Sequence, residues 1–262
     1  MSAILLDQEI VHYEVLGRGR PVIFLHGWVG SWRYWIPVMQ AVSVSFRTYA
    51  IDLWGFGDTS KNSRRYPLGE QMRLLDKFLE QLGIMRFVVV GHGLGAILGI
   101  NYARQNPSLV DRVMAVGYPL EESMIHPRLR SDPPAVLADW LLGHIPAAEP
   151  ARADAPKTDP QVVQASISSL GLANLRDLWP SANTACLLVN GLNDPAIQPP
   201  RPEQLADLPE QMHAVSFDQS GHFPMLDETS KFNRLLFDFL ALSSGESPRD
   251  LQLKEEWKRR VR

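Results

Sequence analysis

Three sets of loop residues have types and spacings that could do chemistry. Gly91-His92-Gly93-Leu94-Gly95 follows an apolar run and precedes a helical pattern rich in small residues. This is the strand–turn–helix setting of the nucleophile elbow, G-x-S-x-G, in which a strained turn lifts a serine hydroxyl above a sheet. The flanking glycines fit, since neighbouring chains pass too close there for side chains. The centre is Gly93, which has no atom able to attack a carbonyl. Further on, Asp194 lies in Gly191-Leu192-Asn193-Asp194-Pro195 and His222 in Ser220-Gly221-His222-Phe223-Pro224. The chain order of elbow, acid and histidine is that of a triad whose acid orients an imidazole and whose imidazole deprotonates the nucleophile. The third loop, His26-Gly27-Trp28, follows another apolar run, and its glycine permits close backbone approach.

Such loops need strands that end beside one another. Strands are expected at 10–15, 22–25, 49–51, 87–90, 113–116, 187–190 and 214–217. A turn at Gly17-Arg18-Gly19 separates the first two, and a helix is expected to begin after Ser31. Leu68, Met72, Leu75, Phe78, Leu79 and Leu82 form one helical stripe that Gly83 stops. A second helix runs to Gln105, and one over 232–242 closes the pattern. Alternating strands and helices predict an α/β fold, a mostly parallel central sheet with flanking helices. The alternation breaks at 118–181, where 136–142 and 162–170 read as helices and 146–160, rich in Ala, Pro and Asp, as an extended loop. The expected organisation is therefore a core at 1–117 and 182–242, a helical insertion at 118–181, and a tail at 243–262. The tail opens as a Ser/Gly/Pro linker and ends in a helical, mixed-charge stretch carrying Lys254, Lys258, Arg259, Arg260 and Arg262.

From residue 10 to residue 242 the chain resembles the α/β-hydrolase family. Asp52-Leu53-Trp54-Gly55-Phe56-Gly57-Asp58-Thr59-Ser60 is similar to that family's Asp-x-x-Gly-x-Gly-x-Ser stretch, and the sequences around Asp194 and His222 are similar to its other signatures. The resemblance implies that 118–181 is a cap over the pocket. It also implies that the backbone N–H groups of Trp28 and Leu94 bind an oxyanion. Trp140 and Trp179, in or near the cap, become candidate substrate contacts. The implied activity is that of a carboxylic-ester hydrolase, with a small apolar ester, lactone or ketone as the expected ligand and no cofactor or metal. Relatives that use a carboxylate nucleophile fit less well. A haloalkane dehalogenase or epoxide hydrolase needs that carboxylate at position 93, and a dehalogenase a tryptophan where this chain has Leu94. Val29, not proline, follows Trp28.

Three functions follow. The leading one is an esterase-type protein whose serine mechanism is closed at Gly93, either as a natural pseudoenzyme or through an inactivating substitution. The second is an enzyme that uses His222 and Asp194 directly, for water-mediated hydrolysis or lyase-type proton transfer. The third is a receptor-like binding protein. Replacement nucleophiles are poorly placed: Cys186 leads a strand as a packing residue, and nothing pairs Ser31 or Ser60 with His222. His26 is expected to brace its loop and His92 to be structural. His12, His126, His144 and His213 lack metal-ligand spacing and are expected at the surface. Asp52 and Asp58 are expected to bond backbone in their turn. Trp28, Trp32, Tyr34 and Trp35 either line an apolar pocket or pack a helix. A net charge of -3 speaks against a general nucleic-acid binder. No apolar run approaches the ~20 residues of a membrane span. Asp7 and Glu9 near the N-terminus do not fit a signal peptide, so the expected location is the cytoplasm. A single cysteine excludes an internal disulfide.

Overall fold

The structure, a computed structural model, describes residues 2–170, 175–179, 184–243 and 245–251. Its strands are β1 (Ser2–Leu6), β2 (Glu9–Gly17), β3 (Arg20–Leu25), β4 (Phe46–Ile51), β5 (Phe87–His92), β6 (Val110–Val116), β7 (Ala185–Gly191) and β8 (Met212–Phe217). They form one sheet in the order β1-β2-β4-β3-β5-β6-β7-β8. The β1–β2 and β2–β4 pairs are antiparallel, and every pair from β4 to β8 is parallel. Helices α1 (Ile36–Val42), α2 (Leu68–Leu82) and α3 (Leu94–Gln105) belong to the first half of the chain. In the middle of the sheet all six residues of β5 are buried, which is why its first four residues, Phe87 to Val90, read as an unbroken apolar run and not as an alternation. Along α2, Met72, Leu75, Phe78 and Leu79 of the sequence stripe are buried, and Gln71 and Leu74 are buried beside them.

The strands are longer than the apolar runs that marked them, and β1 is an addition. It is a short edge strand whose Ala3 and Leu5 face solvent although four of its five residues are apolar.

Between β6 and β7 the described chain forms α4 (Arg128–Ser131), α5 (Pro134–Leu141), α6 (Glu149–Asp154) and α7 (Pro160–Ser168), with short 3-10 turns between them. The extended loop expected at 146–160 is not there. That stretch is a 3-10 turn at Pro146–Ala148, then α6, then a second 3-10 turn at Ala155–Lys157. Pro146, Pro150, Pro156 and Pro160 each stand in the first turn of a helical segment, where the missing N–H costs nothing, and the alanines between them favour helix. Two short helices, α8 (Pro202–Leu205) and α9 (Pro224–Asp227), precede α10 (Thr229–Ala241), which packs Phe232, Leu235, Leu236 and Phe239 into the core. The expected helical end of the tail lies outside the described residues. Among the described residues, no helix is long and apolar enough to cross a membrane.

Candidate active site

The loops that follow β3, β5, β7 and β8 leave from the same edge of the sheet, the carboxyl ends of its parallel strands. Open α/β sheets place their sites there. At the turn after β5, the strand ends at His92, Gly93 takes φ +50° and ψ −109°, and α3 starts at Leu94. Contact forces the flanking glycines. A Cβ on Gly91 would run into the carbonyl of Gly95, and one on Gly95 into the carbonyl of Leu25. The turn is held by Gly93 N–H donating to Val116 O at 2.9 Å and Gly95 N–H donating to His26 O at 3.1 Å. Leu94 opens α3, so its N–H has no partner within the helix. A Cβ on Gly93 would lie 3.2 Å from Cε3 of Trp28, whose indole is fully buried and donates from Nε1 to Ser166 Oγ at 3.0 Å.

His26 fixes the peptide that carries the Trp28 N–H. Leu53 N–H donates to His26 Nε2 at 3.0 Å, so Nδ1 carries the ring proton and donates to Gly27 O at 2.8 Å. The carbonyl and N–H of a trans peptide point in opposite directions, so holding Gly27 O also aims the Trp28 N–H. Burial pushes the His26 imidazole down, which keeps it neutral in this role. Among the described residues, neither the Trp28 N–H nor the Leu94 N–H makes an intramolecular hydrogen bond.

Asp194 and His222 meet. His222 Nδ1 donates to Asp194 Oδ2 at 2.9 Å, and the other carboxylate oxygen, Oδ1, accepts the N–H groups of Ala196 at 2.8 Å and Ile197 at 3.0 Å. Both side chains are nearly inaccessible, at 0% for His222 and 4% for Asp194. With its proton on Nδ1, the neutral ring presents a lone pair at Nε2. That atom is buried and has no hydrogen-bond partner among the described residues. The next loop is held from behind, where Asp227 Oδ2 accepts Gly221 N–H at 2.9 Å and Ser220 Oγ–H donates to Glu228 Oε2 at 2.6 Å. His92 lies against the pair, its ring 4.5 Å from that of His222 between centroids.

The other residues singled out in the sequence have neighbours of their own. Trp140, half-buried, packs against His126 and lies under the Arg128 guanidinium at 4.2 Å; Trp179 lies under Arg176. Burial pushes the Cys186 thiol up to about 12, so it is a packing group and not a thiolate. His126 and His144 are exposed and His213 is half-buried. His12 is not a surface residue: it is 5% exposed, donates from Nδ1 to Asp52 Oδ2 at 2.9 Å, and packs on Trp32. The reason is the turn that follows Asp52, which folds over β2 so that Thr59 Oγ1 accepts the His12 N–H. Asp52 also accepts the N–H groups of Trp32 and Asp58, as a turn carboxylate should. His12, Asp52 and Asp58 bring possible ligand atoms within 4.8 Å of one another, and Lys157 already pairs with the Asp58 carboxylate at 2.9 Å. Tyr34 and Ser166, which touch the site loops, carry no local sequence signal of that role.

A mostly parallel sheet with an elbow after β5, an acid after β7 and a histidine after β8 defines the α/β hydrolases as a class. A sequence profile of the alpha/beta hydrolase fold matches residues 20–154, about half of the chain, and this protein belongs to that family. Over 270 residues it is 24% identical to a candidate carbamate hydrolase, RutD, of Yersinia enterocolitica, covering 94% of this chain and 97% of the relative. A haloalkane dehalogenase of Agrobacterium fabrum is 34% identical over 108 residues, 41% of this chain and 34% of its own. The crystal structure of the enol-lactonase from Burkholderia xenovorans LB400 shares the fold with a TM-score of 0.78 at 20% identity, covering 92% of this chain and 100% of the other.

Proposed function

We propose that this chain is an esterase-type member of its family in which the acyl-enzyme route is closed at Gly93 while the rest of the machinery stays assembled. The observation that carries this reading is the buried Asp194–His222 pair with an unpartnered Nε2, in a site whose elbow centre is glycine. The segment between β6 and β7 serves as the cap, and Trp140 and Trp179 are its candidate ligand contacts. The carbamate hydrolase and enol-lactonase among the similar proteins are named for substrates with an acyl carbon bonded to a heteroatom. This supports a small apolar ester or lactone as ligand, with a ketone as a non-cleavable counterpart.

With serine at position 93 the chemistry would run in two steps. His222 Nε2 takes the Oγ–H proton as Oγ bonds to the acyl carbon, and the oxyanion is held by the N–H groups of Trp28 and Leu94. The C–O bond to the leaving alcohol then breaks as Nε2–H returns the proton to that oxygen, and water repeats the cycle to free the acid. In the chain as it stands no Oγ exists, so His222 Nε2 has no serine proton to take.

The test is hydrolysis of short and medium acyl p-nitrophenyl esters by this chain, Gly93→Ser and His222→Ala. The expected result is negligible turnover as given and a gain of at least about 10³-fold in Gly93→Ser, the scale on which a missing triad member counts. The unpartnered Nε2 also favours a second reading, in which His222 moves protons without a covalent intermediate. Substantial turnover by the unmodified chain that is lost in His222→Ala would establish that reading and sink the first.

A further inference from the structure

We propose that Tyr34 and His92 are positioning residues that clamp the loop bearing the Trp28 N–H to the loop bearing His222, so that both halves of the site are held in one geometry. The clamp is a chain of three hydrogen bonds. Gly27 N–H donates to Tyr34 Oη at 2.6 Å, Tyr34 Oη meets His92 Nδ1 at 3.0 Å, and His92 Nε2 meets the backbone carbonyl of His222 at 2.9 Å. Donor counting fixes every proton in it. A carbonyl can only accept, so Nε2 of His92 carries the hydrogen. The neutral ring then offers Nδ1 as an acceptor, so the Tyr34 hydroxyl donates to it and uses a lone pair for Gly27.

Its surroundings leave the chain no second arrangement. Tyr34 and His92 are each 0% exposed. The His92 ring packs against His222 and, at 4.9 Å, against Phe223, and Tyr34 sets its edge to Phe223 at 5.3 Å. Burial and the neighbouring His222 ring push the His92 imidazole well down, and burial pushes the Tyr34 phenol well up, so both remain neutral. One end of the chain binds Gly27, whose own carbonyl is held by His26, and the other end binds the backbone of His222 itself. The separation between the first oxyanion donor and the imidazole is thereby set by Tyr34 and His92, neither of which would touch a substrate's reacting atoms.

The inference rests on the proposed roles of Trp28 and His222, and the experiment separates the two. In one arm, histidine-ring 15N–1H spectra are taken of the unmodified chain and of its Tyr34→Phe variant. The expected result is that Tyr34→Phe shifts the His92 Nδ1 resonance, leaves the ring proton on Nε2 against the His222 carbonyl, and moves the proton that His222 Nδ1 shares with Asp194. In the other arm, kcat and KM are measured in the Gly93→Ser background. There Tyr34→Phe is expected to lower kcat about tenfold with KM within about twofold, a fraction of what a 1 Å displacement can cost. His92→Gln, whose amide reaches the Nε2 position, is expected to keep more of kcat than His92→Leu. Unmoved His222 signals in Tyr34→Phe would overturn the clamp, as would equal losses in His92→Gln and His92→Leu. If Gly93→Ser shows no turnover at all, the esterase reading fails and the spectra alone decide the clamp.

Discussion

The backbone at Gly93 explains why a side chain there has a cost. A residue with a Cβ at φ +50° and ψ −109° sits in a sparsely populated region, at roughly 1–3 kcal/mol, and the Trp28 ring 3.2 Å away must also yield by a few tenths of an ångström. Gly93→Ser is therefore expected to lower the unfolding free energy by about 1–3 kcal/mol in urea titrations while it raises ester turnover. An equal or higher stability would mean that the turn relaxes on substitution. At this scale the sequence was most legible where chemistry is local. The elbow, Asp194 and His222 were marked by neighbours in the chain. His12 was not, because its burial depends on a turn some forty residues away that contributes Asp52 and Thr59. Tyr34 was visible only as one of several aromatic residues, since its partners at Gly27 and His92 come together through the sheet.

Among the elements, periodicity located the strands and α2, where a single face or a whole strand is buried. It failed at the hairpin between β1 and β2. There Asp7 and Gln8 both adopt positive φ without the glycine that usually signals such a turn. It fails again at 146–160, where proline suggests a loop although each proline stands in the first turn of a helical segment. That segment is fastened to the sheet side of the molecule through Asp154. Its Oδ2 accepts Ser31 Oγ–H and Arg33 Nε–H, both at 2.7 Å, while Lys157 bridges Asp154 and Asp58. Asp154→Ala leaves the buried Ser31 hydroxyl and the Arg33 guanidinium without that acceptor. It is expected to cost about 1–3 kcal/mol and to speed hydrogen exchange selectively over residues 146–157. Exchange that rises evenly over the chain would show that Asp154 supports the whole fold and not this fastening.

For the whole molecule, the histidines pull the pH dependence of stability in two directions. Burial depresses His26 and His92, so the unfolded chain binds protons that the folded one refuses, and stability falls as pH drops below about 6.5. Burial works against His12 too, but its bond to Asp52 and the charges of Asp52, Asp58 and Glu14 outweigh that and raise it. The stabilisation from His12 is therefore complete below about pH 6.5 and is lost as pH rises through its higher folded value. In thermal melts across pH 5–9, His12→Gln is expected to lower stability below about pH 6.5 and to flatten the decline on the alkaline side, with the slope of the acid-side decline unchanged. A variant that loses stability equally at every pH would show that the His12–Asp52 contact acts through packing and not through charge.

The elbow also has a meaning in descent. Its turn is easier for glycine than for serine, so where ester turnover carries no selective advantage, stability alone draws the position toward glycine. The surrounding loops need not change for that drift to occur. Glycine and serine codons can differ by a single base, so as long as the donors, the acid and the histidine keep their places, the way back is equally short.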